Sequence, residues 1–250
     1  MKSQGHAGDG ELEMTERALS GQALSGRTIM VLGATGGLGR AVTERLRADG
    51  ASVLAADTRI PAAADRQDQV SYIAVDALDE SRVSAAFAAA PAGPPVGGVV
   101  NVIGGFTPPQ AVSSLDIGVL RQQLELNLVT AAIITKYAMP MLATRGGGPI
   151  VHVSSRFAVQ DGAGIFAQSV SKLGVIRLVE VAAAEGRGDG VRVNCIMPSI
   201  IDTQAERAAV PGAAYDQWPK PSEVAAVLAF LVSDEAVLIS GAAVPVYGRV

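Results

Sequence analysis

The stretch VLGATGGLGR, residues 31–40, restricts what this chain can fold into more than any other. Ile29–Leu32 is a short apolar, partly β-branched run that reads as a buried strand, and Arg40–Ala48 reads as a helix. Between them Gly33, Gly37 and Gly39 recur at intervals that suit a strand–loop–helix turn. Without side chains at these positions the backbone can approach a diphosphate closely, while the helix N-terminus stabilises its negative charge. Glycines also build ordinary turns, so the pattern takes its weight from its place between an apolar strand and a helix. Thr35 and Leu38 share this loop and join the three glycines as candidate dinucleotide-binding residues.

Asp57 sharpens that reading. It follows a second strand, Ala51–Ala56, where a Rossmann arrangement places an acidic side chain near the adenosine ribose. A carboxylate there accepts hydrogen bonds from the ribose hydroxyls and repels a 2′-phosphate, which favours NAD(H) over NADP(H). Arg40 and Arg59 are opposing signals, since either can reach a phosphate. Asp76, after SYIAV, has two readings of equal standing, an adenine-edge contact and a simple strand-end carboxylate. In NVIGG, Asn101–Gly105, the glycines permit a loop beneath the dinucleotide and the asparagine ties its backbone together.

The same alternation continues along the chain. Strands are predicted at Val70–Val75, Val96–Val102, Pro149–Ser154, Val191–Ile196 and Ala243–Val246. Helices are predicted at Glu80–Ala90, Leu120–Met141, Ala167–Glu185 and Pro221–Leu231. This rhythm implies an α/β class: a single Rossmann-type domain over 26–250, with a mostly parallel doubly wound sheet covered by helices on both faces. Residues 1–25 carry mixed charge and several glycines, lack the apolar core of a secretory signal, and are expected to form a flexible extension.

Composition narrows the function classes. A formal charge of -4 gives no footprint for nucleic acid. A single cysteine, Cys195, rules out an intramolecular disulfide, and two histidines with it give no clustered metal-ligand pattern. No uninterrupted apolar run reaches spanning length, so no membrane association is expected. The expected setting is cytoplasmic.

Taken together, GATGGLGR, Asp57, Asp76, NVIG, LNLV, VHVSS, SVSK, NCIMPSIIDT and the terminal ISG resemble the classical short-chain dehydrogenase/reductase family, in order, over nearly all of 27–250. The resemblance implies cofactor glycines at Gly33, Gly37 and Gly39, an NAD-selecting acid at Asp57, and further cofactor contacts at Asp76, Asn101, Gly104, Pro198 and Thr203. It implies a helix asparagine at Asn127, a carbonyl-orienting serine at Ser155 and a ribose-binding lysine at Lys172. It also implies a small-molecule substrate and a homodimer or homotetramer, with the helices at Leu120–Met141 and Ala167–Glu185 as candidate contact surfaces.

One position departs from the family pattern. In IFAQSVSK the residue four before Lys172 is Gln168, where the family's YxxxK motif carries tyrosine. In the family's arrangement the lysine lowers the tyrosine pKa, the tyrosine exchanges the substrate proton, and the serine hydrogen-bonds the developing alkoxide. A glutamine amide keeps hydrogen-bonding capacity but has no titration that supports proton exchange at neutral pH. Tyr72, Tyr137, Tyr215 and Tyr247 do not fill the motif position.

The remaining chemistry-bearing residues read more plainly. Strand alternation turns His152 away from the face of Ser155, which favours packing or a local hydrogen bond. Arg156 reads as a surface residue, and Cys195 as a small buried strand residue. The segment TQAERAAVPGAAYDQW is the expected substrate lid, near 203–220, and Tyr215 and Trp218 either line its pocket or pack. Three functions stand at this point. The first is an NAD(H)-dependent oxidoreductase acting on a small carbonyl or alcohol, with water or a substrate acid exchanging the proton. The second is an inactive dinucleotide-binding sensor or assembly protein. The third is a non-redox lyase or isomerase.

Overall fold

The computed structural model describes residues 23–62, 66–89, 94–160 and 162–249. Seven parallel strands form one sheet: β1 (Thr28–Leu32), β2 (Ser52–Asp57), β3 (Val70–Ala74), β4 (Val96–Asn101), β5 (Gly148–Val153), β6 (Val191–Pro198) and β7 (Ala243–Val246), in spatial order β3-β2-β1-β4-β5-β6-β7. The helices are α1 (Gly37–Ala48), α2 (Glu80–Ala88), α3 (Ile117–Gln123), α4 (Thr130–Ala143), α5 (Phe166–Gly186), α6 (Gln204–Ala209) and α7 (Pro221–Val232). Every predicted strand is present, with edges moved by no more than a residue or two.

Alternation along β1 sorts the core into two layers. Ile29 and Val31 face one side of the sheet with Val42 and Leu46 of α1 and Val224 and Leu228 of α7. Met30 and Leu32 face the other side with Ile134, Ala138 and Leu142 of α4 and Val179 of α5. A strand buried on both faces needs apolar residues at successive positions, which is why β1 reads TIMVL rather than alternating. Strand order reverses at β1, which pairs with β2 on one side and β4 on the other. Open sheets of this kind bind ligands beyond the carboxyl ends of the strands flanking that point.

Three differences from the sequence reading have physical causes. The long predicted helix is continuous from Ile117 to Ala143 but contains a π-helical turn, Leu124–Val129, between α3 and α4. By length and composition this 27-residue helix could cross a membrane, although Arg121, Glu125 and Lys136 interrupt its apolar run. Here it lays Ile134, Ala138 and Leu142 into the core. Of the expected extension, residues 1–22 lie outside the described residues. Leu24, placed in the extension by sequence, is fully buried, and its amide donates to Asp49 O at 2.9 Å.

Candidate active site

The glycine loop connects β1 to α1, and its glycines are required by close approach. A Cβ on Gly39 would lie 2.1 Å from Gly33 O and 2.7 Å from Ala34 Cα. One on Gly37 would lie 3.0 Å from Thr203 Cγ2. Gly33 has φ +82°, in the left-handed region that glycine tolerates. The N-cap of α1, Gly36, supplies no side-chain cap, and the first turn holds no acidic residue. The partial positive charge of that helix end is therefore not neutralised by the helix's own side chains, which suits an anionic diphosphate.

Two connected clefts open above the strand ends. One of about 470 Å3 is lined by Gly33, Gly37, Leu38, Gly39, Gly104, Ser155, Gln168, Lys172, Pro198 and Thr203, with Phe106, Phe157, Ile165 and Val210 as apolar walls. The other, about 340 Å3, shares Gly33 and Gly104 and adds Thr35, Asp57, Asp76, Val75 and Leu78. A larger groove, about 690 Å3, lies at the opposite ends of β5 and β6, among Arg27, Gly148, Gly190 and Arg192, away from every residue predicted for the site.

Asp57 ends β2 with both carboxylate oxygens engaged. Oδ2 accepts from Thr35 N at 3.0 Å and Thr35 Oγ1 at 2.9 Å, and Oδ1 accepts from Thr58 N at 2.8 Å. The acid thus braces the glycine loop while lining the smaller cleft. Asp76 Oδ1 accepts from Leu78 N at 3.0 Å, which shapes the turn after β3.

Ser155 stands beyond the end of β5, where its Oγ accepts from Phe157 N at 3.2 Å and lines the larger cleft. Gln168 and Lys172 project from successive turns of α5. Lys172 is buried, and its Nζ donates to Val153 O at 2.8 Å. Burial pushes its pKa down to about 8. Gln168 Oε1 is buried with no hydrogen-bond partner among the described residues. A Cβ on Gly104 would meet Lys172 Nζ at 2.8 Å and Asn127 Oδ1 at 2.9 Å, so glycine is needed for the loop to pass over the lysine.

Two predicted residues do not reach either cleft. Asn101 points into the core, where its Oδ1 accepts from Ile103 N at 3.0 Å and its Nδ2 pairs with His152 Nδ1 at 3.1 Å. Asn127 lies behind the wall, in the π-helical turn. Its Oδ1 accepts from Gly105 N at 3.2 Å, and its Nδ2 donates to Gln123 Oε1 and Ser171 Oγ, both at 3.0 Å. The widened turn adds a residue to the helical repeat and re-aims the asparagine at the loop after β4. Asn127 therefore holds the cleft wall, and Gln123 and Ser171 hold Asn127.

Sequence reading did not single out Gln123, Ser171 or Glu206. The four-residue spacing of Gln123 and Asn127 was a usable signal. Glu206, on α6, lines the larger cleft, and burial raises its carboxyl pKa. The segment beyond α6 is braced by Asp202, which pairs with Arg207 and, at 2.5 Å, with Lys220. Those cations hold its carboxyl well below the usual carboxylate range. Tyr215 and Trp218 pack on each other edge-to-face, centroids 5.1 Å apart, outside the residues lining the cleft. The Arg156 guanidinium lies over the rings of Phe157 and Tyr247. Cys195 is buried, its thiol pushed up to about 12 by desolvation.

The family model described as short chain dehydrogenase matches residues 27–213. The chain is 31% identical over 243 residues to a cis-4-hydroxycyclohexanecarboxylate dehydrogenase of Sinomonas cyclohexanicum, covering 91% of this chain and 98% of that protein. It is 26% identical over 242 residues to a 7alpha-hydroxysteroid dehydrogenase of Bacteroides fragilis, covering 89% and 93%. Its fold superposes with TM-score 0.81 on a short-chain type dehydrogenase/reductase from Mycobacterium ulcerans, at 26% identity and 90% coverage of each chain. A short-chain dehydrogenase/reductase from Burkholderia xenovorans superposes with TM-score 0.77 at 28% identity, over 91% of this chain and 97% of that one. The family binds a nicotinamide dinucleotide, and the uncapped helix end, the glycine cradle and the paired clefts of this chain fit one. The chain belongs to the short-chain dehydrogenase family.

Proposed function

We propose that this protein is an NAD(H)-dependent oxidoreductase acting on a small alicyclic carbonyl or secondary alcohol, with Gln168 in the place of the family's proton-exchanging tyrosine. The observation that carries this reading is that Ser155, Gln168 and Lys172 share one cleft with the glycine loop. The dinucleotide supplies hydride at its nicotinamide ring when bound. Gly33, Gly37, Leu38 and Gly39 would cradle its diphosphate, and Thr203 and Pro198 would flank the nicotinamide end. Asp57 would receive the adenosine ribose hydroxyls and repel a 2′-phosphate, which supports NAD(H) over NADP(H).

Within this reading each side chain has a separate task. Ser155 Oγ–H is the donor that orients a substrate oxygen. The lysine is already held by Val153 O, so its remaining N–H bonds are placed for ribose hydroxyls. Gln168 Oε1 is a buried acceptor available to a donor group of the bound ligand. Phe106, Phe157, Ile165 and Val210 exclude water and fit an alicyclic ring, the kind of skeleton named in two of the relatives. The segment near 203–220 acts as the substrate lid. Assembly as a homodimer or homotetramer belongs to the same reading, supported by half-exposed Val129, Leu173 and Val181 on the helices expected to pair.

The test is a paired NAD(H)-coupled screen of alicyclic alcohols and ketones with the native chain and Gln168→Tyr, measuring dinucleotide binding on the same samples. Turnover by the native chain supports an oxidoreductase. Tight binding without turnover, restored by Gln168→Tyr, points instead to a dinucleotide-binding protein without redox activity. Failure of both proteins to bind NADH or NADPH removes the reading altogether.

A further inference from the structure

Among the described residues lining the larger cleft, two carry a titratable side chain, Lys172 and Glu206. Lys172 is committed to Val153 O deep beneath Gly104. Glu206 is half-buried and forms no ion pair among the described residues. The cation next to it in the chain, Arg207, is engaged with Asp202.

The ordinary task for a glutamate at this position is a capping box. Thr203 caps α6 by accepting from Glu206 N at 3.2 Å, and a glutamate three residues after the cap commonly reaches back to the cap's own amide. That second bond is not made. Thr203 N donates instead to Ile201 O at 2.7 Å. The same chain does close the reciprocal bond at α7, where Lys220 N donates to Glu223 Oε2 at 2.6 Å. Glu206 thus lines the cleft without the reciprocal capping bond that would tie its carboxyl to the helix end.

We infer that Glu206 is the acid–base residue of this cleft, exchanging with a bound carbonyl or alcohol oxygen the proton that a glutamine at 168 cannot supply. The inference rests on the oxidoreductase reading above. In reduction, the carbonyl carbon receives hydride, with its electron pair, from reduced nicotinamide dinucleotide. The C=O π pair moves to oxygen, and the Glu206 carboxyl O–H breaks to protonate that oxygen. The products are the alcohol, the Glu206 carboxylate and oxidised dinucleotide. Alcohol oxidation runs the same transfers backwards, with Glu206 as base. Burial raises the Glu206 carboxyl pKa, the direction that helps a carboxyl act as proton donor. Reduction therefore falls as pH rises through the Glu206 pKa, and oxidation rises.

The experiment compares the native chain with Glu206→Gln and Glu206→Asp. It measures NADH affinity by fluorescence, the side-chain carboxyl titration by NMR of glutamate-labelled protein, and turnover of 4-hydroxycyclohexanecarboxylate with NAD+ across pH. The expected result is unchanged NADH affinity and a native Glu206 carboxyl titrating above the usual 4.5. Glu206→Gln should lose about 100-fold or more in kcat together with one ionisation of the pH profile. Glu206→Asp should retain that ionisation. Native kcat and pH profile in Glu206→Gln overturn the inference while leaving the oxidoreductase reading intact, as does a carboxyl titrating at or below 4.5. Tighter NADH binding as the variant's only change also overturns it, because it makes Glu206 a repulsive neighbour of the diphosphate. A native chain that binds no NADH, or binds it and turns over nothing, overturns the oxidoreductase reading and this inference with it.

Discussion

Asn101 Nδ2 lies 3.1 Å from His152 Nδ1, and that contact sets the protonation state of a fully buried ring. Ile103 N occupies Asn101 Oδ1, so the amide presents its NH2 to the imidazole, which must accept at Nδ1. Thr135 Oγ1 donates to Ala131 O and takes the Nε2 proton at 2.9 Å. The chain of bonds is complete only for neutral, Nε2-protonated histidine, and burial pushes the pKa down to about 4. A histidine held neutral by the fold contributes stability above its unfolded value, and that stability is lost as pH falls from about 6.5 to about 4. The expected loss is on the order of 3 kcal/mol. Urea unfolding at pH 7 and pH 4.5, with His152→Gln as the non-titrating reference, measures it. An equal decline in both proteins sinks the assignment.

Gly39→Ala places its methyl 2.1 Å from Gly33 O, a backbone atom that has no rotamer to escape into. We expect a loss of at least about 1–3 kcal/mol and no dinucleotide binding. Gly37→Ala meets only the Thr203 side chain, Cγ2 at 3.0 Å and Cβ at 3.1 Å, so the fold should survive with weakened binding. Thermal melts and NADH fluorescence on both variants separate the two outcomes, and equal behaviour would count against the cradle geometry.

Asp57→Asn keeps an acceptor for Thr35 N and Oγ1 but removes the charge. The expected change is about tenfold in relative affinity toward NADP(H), equivalent to about 1.4 kcal/mol. Titration with both reduced dinucleotides checks it, and an unchanged ratio would move cofactor choice to Arg40 or Arg59.

Asp202 holds Arg207 and Lys220 together at the base of the segment beyond α6. Asp202→Asn should increase protease cleavage within 204–217 while leaving the melting temperature of the sheet domain nearly unchanged. The carboxyl's pKa is lowered, so the brace is present above the ordinary carboxylate value and is released only as pH falls below it. Limited proteolysis at pH 7 is the measurement, and identical fragment patterns would show that other contacts hold the segment.

Leu24→Ala empties a fully buried position before β1. A loss of about 2–5 kcal/mol is expected, against almost none if this residue belonged to a free extension. Denaturant midpoints of the two proteins decide between these values.

The sequence by itself determined the strands, their parallel α/β arrangement and the glycine loop. Those features rest on local pattern: continuous apolar runs for strands buried on both faces, and glycine where backbone approaches backbone. Ser155 and Lys172 entered one candidate site through the resemblance of VHVSS and SVSK to the family's motifs, not through any local spacing. Tertiary structure alone decided where Asn101 and Asn127 point. Their identical side chains face the core and the cleft wall, according to a buried histidine in one case and a π-helical turn in the other. Glu206 was equally hidden: a glutamate three residues after a threonine reads as a cap, and only the tertiary structure shows Thr203 N bonded to Ile201 O and Glu206 lining the cleft. Which side chains meet across a cleft depends on contacts between residues distant in the chain, and no local spacing encodes those.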